Sequence, residues 1–301
     1  MLTATPSWGL AAALALSLGV LACDDTVSGA KPIGGDVPTD ASLQRFVRRS
    51  TLDLTGTPPS DADLAARADE LRAAGNTALA RRAQVDALMS SDAFATLWTE
   101  ELENRVLGGN TLEYQYTFLC SILRQQDQAC RSCTDADPCT CTCPAIAPLA
   151  PERAQLRMTA HDFAAHTASS VLERRYASAE AYTAFLGDAE TITTRLFEDF
   201  LGRPAEAEEL EAGRAMIIGG FGGPAGLLFH RHGATYADLV DIALGSDVYR
   251  EAIVTRVFNR YLGRTPTSAE LSYFAGQLDA TAPDVRPVIA AVLTSKEYFE
   301  P

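Results

Sequence analysis

The residues best suited to chemistry in this chain are cysteines. Six of them, Cys120, Cys130, Cys133, Cys139, Cys141 and Cys143, crowd into "CSILRQQDQACRSCTDADPCTCTC". Thiols this dense either oxidise in pairs or hold a soft metal. In an exported chain the even number reads as three disulfides. If "CTCTC" runs extended, Cys139, Cys141 and Cys143 face one side and pair poorly with each other, so each is expected to reach back to Cys120, Cys130 or Cys133. Zinc or an iron–sulfur cluster held by "CRSC" and "CTCTC" is the rival, and a redox-active dithiol is a third reading.

Histidines are the other candidates. His161 and His166 are five apart, a poor fit to a helical metal pair, where a spacing of four is expected. His230 and His232 fall in "GGFGGPAGLLFHRHG", read as a mobile loop with a ligand site as the alternative. Its glycines match no phosphate-binding pattern, since no Lys-Ser/Thr follows them. No Ser-His-Asp set declares itself, so no catalytic residue, metal ligand or cofactor is assigned.

The elements that must position these residues follow from a repeat. "RSTLDLTGTPPSDADL", "RLFEDFLGRPAEAEEL" and "RVFNRYLGRTPTSAEL" align on Gly56, Gly202 and Gly263. Arg49, Arg195 and Arg256 lie seven residues before the glycines, and Leu64, Leu210 and Leu271 eight after. Glycine supplies the left-handed residue that ends a helix, and proline cannot continue it. Pro58, Pro59, Pro204 and Pro266 therefore mark turns between helices. "SDAD" and "TSAE" then have capping-box spacing, whereas Ala205 removes the hydroxyl from the middle copy and predicts a weaker cap. The arginines are placed to bond the last carbonyls of a helix or a carboxylate within the motif.

A second half-motif, "ALMSSDAF", "IALGSDVY" and "AVLTSKEYF", sets Ser91, Ser246 and Ser295 ahead of Phe94, Tyr249 and Tyr298. Ser91 precedes Gly108 by seventeen residues, as Ser246 precedes Gly263, so Gly108 opens an interrupted unit. The expectation is an all-α protein of degenerate helical repeats, helix, Gly-Pro turn, helix, broken by an irregular Cys-rich insert.

The first residues, "MLTATPSWGLAAALALSLGVLA", carry an apolar stretch too short to span a bilayer comfortably, which reads as a signal peptide over residues 1–22. "VLAC" resembles the lipobox of bacterial lipoproteins, and by that resemblance Cys23 carries the lipid. Residues 23–42, rich in Gly, Pro, Asp, Ser and Thr, read as a flexible tether. Beyond it the expected organisation is a first repeat region over 43–118, the insert over 119–150, and a second repeat region over 151–301. A net charge of -14 argues against a nucleic-acid partner.

Two further resemblances bear on function. "RRSTLDLTGTPPSDADLAA" is similar to the opening motif of a domain of unknown function that planctomycetes fuse to c-type cytochrome modules. "YLGRTPTSAELSYFAGQL" with "VLTSKEYF" resembles the LGR-x-P repeat domain of bacterial surface proteins. Together they cover about residues 43–105 and 190–301 and imply an extracytoplasmic helical module, sometimes linked to haem proteins or secreted hydrolases. The chain has no C-x-x-C-H and so attaches no c-type haem itself. The expected function is a lipid-anchored binding or scaffolding protein of the bacterial cell envelope, at the periplasmic face or outer surface. It would be held to the membrane by its lipid and engage an envelope protein. The alternative is an accessory subunit of an envelope redox or hydrolytic system.

Overall fold

Every turn glycine singled out by the repeat has a positive φ: Gly56 at 71°, Gly108 at 62°, Gly202 at 67° and Gly263 at 68°. A computed structural model describes residues 40–133, 137–184, 186–219 and 225–300. The segment read as a signal peptide, Cys23 and most of the segment read as a tether lie outside them. Helix α1 (Asp40–Thr55) begins three residues ahead of the expected start at Leu43, so the last tether positions are helical.

From α1 the chain runs through α2 (Asp61–Ala73), α3 (Ala78–Met89), α4 (Asp92–Val106) and α5 (Leu112–Gln126). The insert follows, with single 3₁₀ turns at Gln128–Cys130 and Pro138–Thr140. Next come α6 (Leu149–Arg157), α7 (Thr159–Ala164), α8 (Ser169–Ala177), α9 (Glu180–Thr183) and α10 (Ala189–Leu196), the last ending in a π turn at Phe197–Leu201. After α11 (Ala207–Gly219), β1 (Gly226–Leu228) pairs antiparallel with β2 (Arg231–Gly233). The chain closes with α12 (Tyr236–Leu244), α13 (Asp247–Leu262), α14 (Ser268–Gln277), α15 (Arg286–Leu293) and α16 (Lys296–Phe299). Among the described residues the architecture is all-α apart from this hairpin.

Helix ends obey the local chemistry written in the repeat. Ser91, Ser246 and Ser295 accept from the backbone N–H of Phe94, Tyr249 and Tyr298 at 3.2, 3.1 and 3.2 Å. Each cap satisfies one orphan N–H and seats the aromatic residue that follows, where Phe94, Tyr249 and Tyr298 are at most 2% exposed. Thr267 and Glu270 form the full reciprocal box. At Ser60 the hydroxyl accepts from the Asp63 N–H and donates to its carboxylate. In the middle copy the cap position falls on Glu206 rather than on Ala205, and Glu209 still accepts from the Glu206 N–H at 2.8 Å and pairs with Arg203, which keeps half of the box without a hydroxyl.

The first and last helices share one core. Leu43, Phe46, Val47, Ser50, Thr51 and Leu54 form the buried stripe of α1, at the i, i+3, i+4, i+7 spacing of an amphipathic helix. Phe46 meets the Tyr298 ring edge-on at 6.1 Å and the Phe299 ring at 5.7 Å. Helix α15 packs on both α3 and α13, so the two repeat regions merge, and the described residues form one compact unit.

The insert is stapled by Cys120–Cys139, Cys130–Cys143 and Cys133–Cys141, with Cα separations of 5.2, 5.2 and 5.9 Å. Each cysteine of "CTCTC" thus reaches back to one of the three before it. Along that stretch Cys139, Cys141 and Cys143 are buried and Thr140 and Thr142 exposed, although Cys139 and Thr140 belong to the 3₁₀ turn rather than to the extended run expected there.

Residues 220–224 of the glycine-rich segment lie outside the described residues, and the part after them departs from the loop expected there. Residues 225–233 fold as a hairpin whose two-residue turn, Phe229 and His230, takes φ of 47° and 62°. Positive φ at both positions is the primed turn that suits strand twist. Gly226 and Gly233 sit where a Cβ would lie 2.2 Å from the Ala212 carbonyl and 2.7 Å from Asp238, so both are demanded by close packing.

Candidate functional site

The repeat arginines do more than close their own turns. Arg49, seven residues before Gly56, donates to the Tyr261 carbonyl at 2.6 Å and to that of Tyr298 at 3.1 Å. Arg256, seven before Gly263, donates to the Phe200 carbonyl at 2.9 Å. Tyr261 and Phe200 each lie two residues before a turn glycine, among carbonyls a helix end leaves without intrahelical partners. One unit's arginine therefore satisfies the helix end of another. Arg195 acts locally, pairing with Asp199 at 3.0 Å.

A second element recurs beside these clamps. The Tyr298 hydroxyl donates to Asp53 at 2.8 Å and the Tyr182 hydroxyl to Asp199 at 3.1 Å, both acids being three residues before a turn glycine. Asp53 and Asp199 are also the carboxylates nearest Arg49 and Arg195. The same Arg, Asp and Tyr thus meet twice.

At the centre, Glu173 of α8 takes the role of that acid for the third unit. Its carboxylate accepts from Arg105 at 3.0 Å, from Arg256 at 3.2 Å on both oxygens, and from the Tyr249 hydroxyl at 3.0 Å. Arg105 also donates to the Asp199 carbonyl at 2.7 Å. Glu173 is 3% exposed. Burial pushes its carboxyl up, but Arg105 and Arg256 outweigh it and leave the group below the usual carboxylate range. Burial and the neighbouring Arg105 in turn lower the proton affinity of Arg256.

This network floors a cleft of ≈ 500 Å³ between α4, α8, α13 and α15, with Trp98, Val257 and Ile289 as apolar walls and Arg260 at its side. Arg260 pairs with Glu101. Burial raises the Glu101 carboxyl, with Arg260 opposing, so of the two cleft acids it is the one biased toward protonation. The cleft carries three guanidinium groups and two carboxylates, a net positive floor under an apolar wall. Glu173 is held ionised with both oxygens engaged, which suits holding guanidinium groups in place rather than moving protons.

The sequence-derived candidates fall elsewhere. His230 stands exposed at the hairpin turn, and His232, also exposed, pairs with Leu227 across the strands. His161 contacts Asp162, and His166 contacts Arg286 at 3.1 Å. None of the four lines the cleft. Glu173 carries no motif. Its one signal is position: it stands beside Leu172 in the buried register of Ser169, Leu172 and Tyr176, where an apolar residue is expected.

Residues 32–120 match a family of unknown function, PSCyt2 (DUF1549). The matched stretch contains the Gly56 turn, the Ser91 cap and Arg105 of the cleft. No curated protein sequence matches the chain. No solved structure matches it either.

Proposed function

We propose that this chain is a binding or scaffolding component of the bacterial cell envelope, exported and anchored through a lipid on Cys23. The observation that carries this reading is the insert: three disulfides within residues 120–143 belong to an oxidising compartment. Behind it stands a helical body whose units are clamped by arginine to one another's helix ends, a rigid mount for a presented surface. The test is the intact mass of the protein from its native membrane fraction, denatured without reductant. A lipidated chain starting at Cys23 and six hydrogens lighter than the thiol form supports the reading. A cytosolic chain with free thiols overturns it.

The match over residues 32–120 favours one second reading, an accessory subunit of a cytochrome-linked or hydrolytic envelope system. Co-purification with a protein bearing covalent c-type haem, or with an envelope hydrolase, would support it.

A further inference from the structure

Beyond its role as a staple, the insert holds sulfur in an arrangement that suits a metal. The sulfurs of Cys133, Cys141 and Cys143 all lie within 4.8 Å of one another, and that of Cys130 is bonded to Cys143. Zinc–thiolate bonds of about 2.3 Å set the sulfurs of a tetrahedral site about 3.8 Å apart. Opening the Cys130–Cys143 and Cys133–Cys141 bonds would therefore leave three thiols near the spacing that zinc requires, with Cys130, released from Cys143, as the fourth ligand that would have to close in on them. The four come from two short stretches of chain, Cys130-x-x-Cys133 and Cys141-x-Cys143.

Arg153 and Arg157 line the same hollow as Cys141, beside the insert, but both are paired with Glu113, and Arg153 also with Asp137, so their charge is matched there. Burial grades the three disulfides. Cys133 is only partly buried, while Cys120 and Cys130 are 0% exposed. A reductant thus finds Cys133–Cys141 first, and exposed disulfides are the labile ones.

We propose that the reduced insert is a zinc site formed by Cys130, Cys133, Cys141 and Cys143, so that the same four residues staple the segment with disulfides when oxidised and with a metal when reduced. Each disulfide takes two electrons and two protons from one dithiol, which leaves as its own disulfide. The four thiols then release four protons as they bind one Zn²⁺. Cys120–Cys139 takes no part.

The test uses the purified full-length chain, reduced anaerobically with a phosphine and then freed of it. One equivalent of Co²⁺ should give the intense visible absorption of a tetrahedral tetrathiolate. One equivalent of Zn²⁺ should bleach it, and native mass spectrometry should count a single zinc retained against an excess of weak chelator. Cys133→Ser and Cys141→Ser should each lose the tetrathiolate spectrum, and the double variant Cys120→Ser/Cys139→Ser should keep it. The oxidised chain should bind no zinc. A reduced chain without stoichiometric cobalt absorption overturns the proposal, whether or not the helical body stays folded. A spectrum that depends on Cys120 or Cys139 overturns it equally.

Discussion

Arg49 donates to the carbonyl of Tyr261, 212 residues away in sequence, through its outer nitrogen at 2.6 Å. Its other outer nitrogen reaches Tyr298, whose ring also lies 4.0 Å beneath the guanidinium carbon. One planar fork therefore serves two helix ends and an aromatic face. Lysine has no such fork, so Arg49→Lys should cost about 1–2 kcal/mol despite keeping the charge. Urea unfolding measures this, and an unchanged midpoint would show that the clamp is dispensable.

Glu173 holds two arginines and a tyrosine in a buried site, and breaking such a pair by removing one partner costs about 3–5 kcal/mol. Glu173→Gln should lower the melting temperature by roughly 10 °C on that scale. Arg105→Met, which leaves Arg256 to neutralise Glu173, should cost less. The thermal melts of the two variants rank the partners directly.

Acid should weaken the fold through two surface carboxylates. Glu113 is held at about 2, foremost by the hydrogen bond from Arg157, and Glu270 at about 2, foremost by that from Arg264. Their ordinary value is 4.5, so between pH 4.5 and about 2 the unfolded chain binds more protons than the folded one. Their stabilisation is complete above that window and lost as pH falls through it. Glu101 and Asp199, raised by burial, act in the opposite direction and soften the loss. Glu113→Gln and Glu270→Gln should each flatten the acid limb of stability against pH and converge on the parent near pH 2.

Two glycines should respond to substitution for different reasons. At Gly263 a Cβ meets nothing within 4 Å, so the cost of Gly263→Val is the left-handed backbone alone, about 1–2 kcal/mol. At Gly213 the Cβ would lie 2.4 Å from the Thr193 methyl, and Gly213→Ala should cost about 1–3 kcal/mol through overpacking of α11 on α10. Adding Thr193→Ala should recover most of the second loss and none of the first. Equal recovery in both backgrounds would refute the distinction.

Much of this architecture was legible because it is local. The turn glycines, the serine caps and the Thr267–Glu270 box depend on residues within a few positions of one another, and the glycines and caps recur in the aligned copies. The destination of Arg49 and Arg256 was not legible, since spacing places an arginine on a helix face but not the neighbouring helix it will meet. Glu173 was missed for the same reason: its partners come from α4 and α13, 68 and 83 residues away. The hairpin escaped because its short strands, flanked by glycine, carry too little alternation to stand out. Cys23 and the segment read as a signal peptide lie outside the described residues, and the mass measurement tests the proposed anchor.

The clasp between Phe46, Arg49 and the Tyr298–Phe299 turn joins the first helix described to the last. Tension applied at Asp40 would enter α1, and α1 cannot peel away without tearing out the other end of the body. A pull at Asp40 is thus met by α16 as well as by α2, α3 and α4, as in a belt fastened by its own tongue.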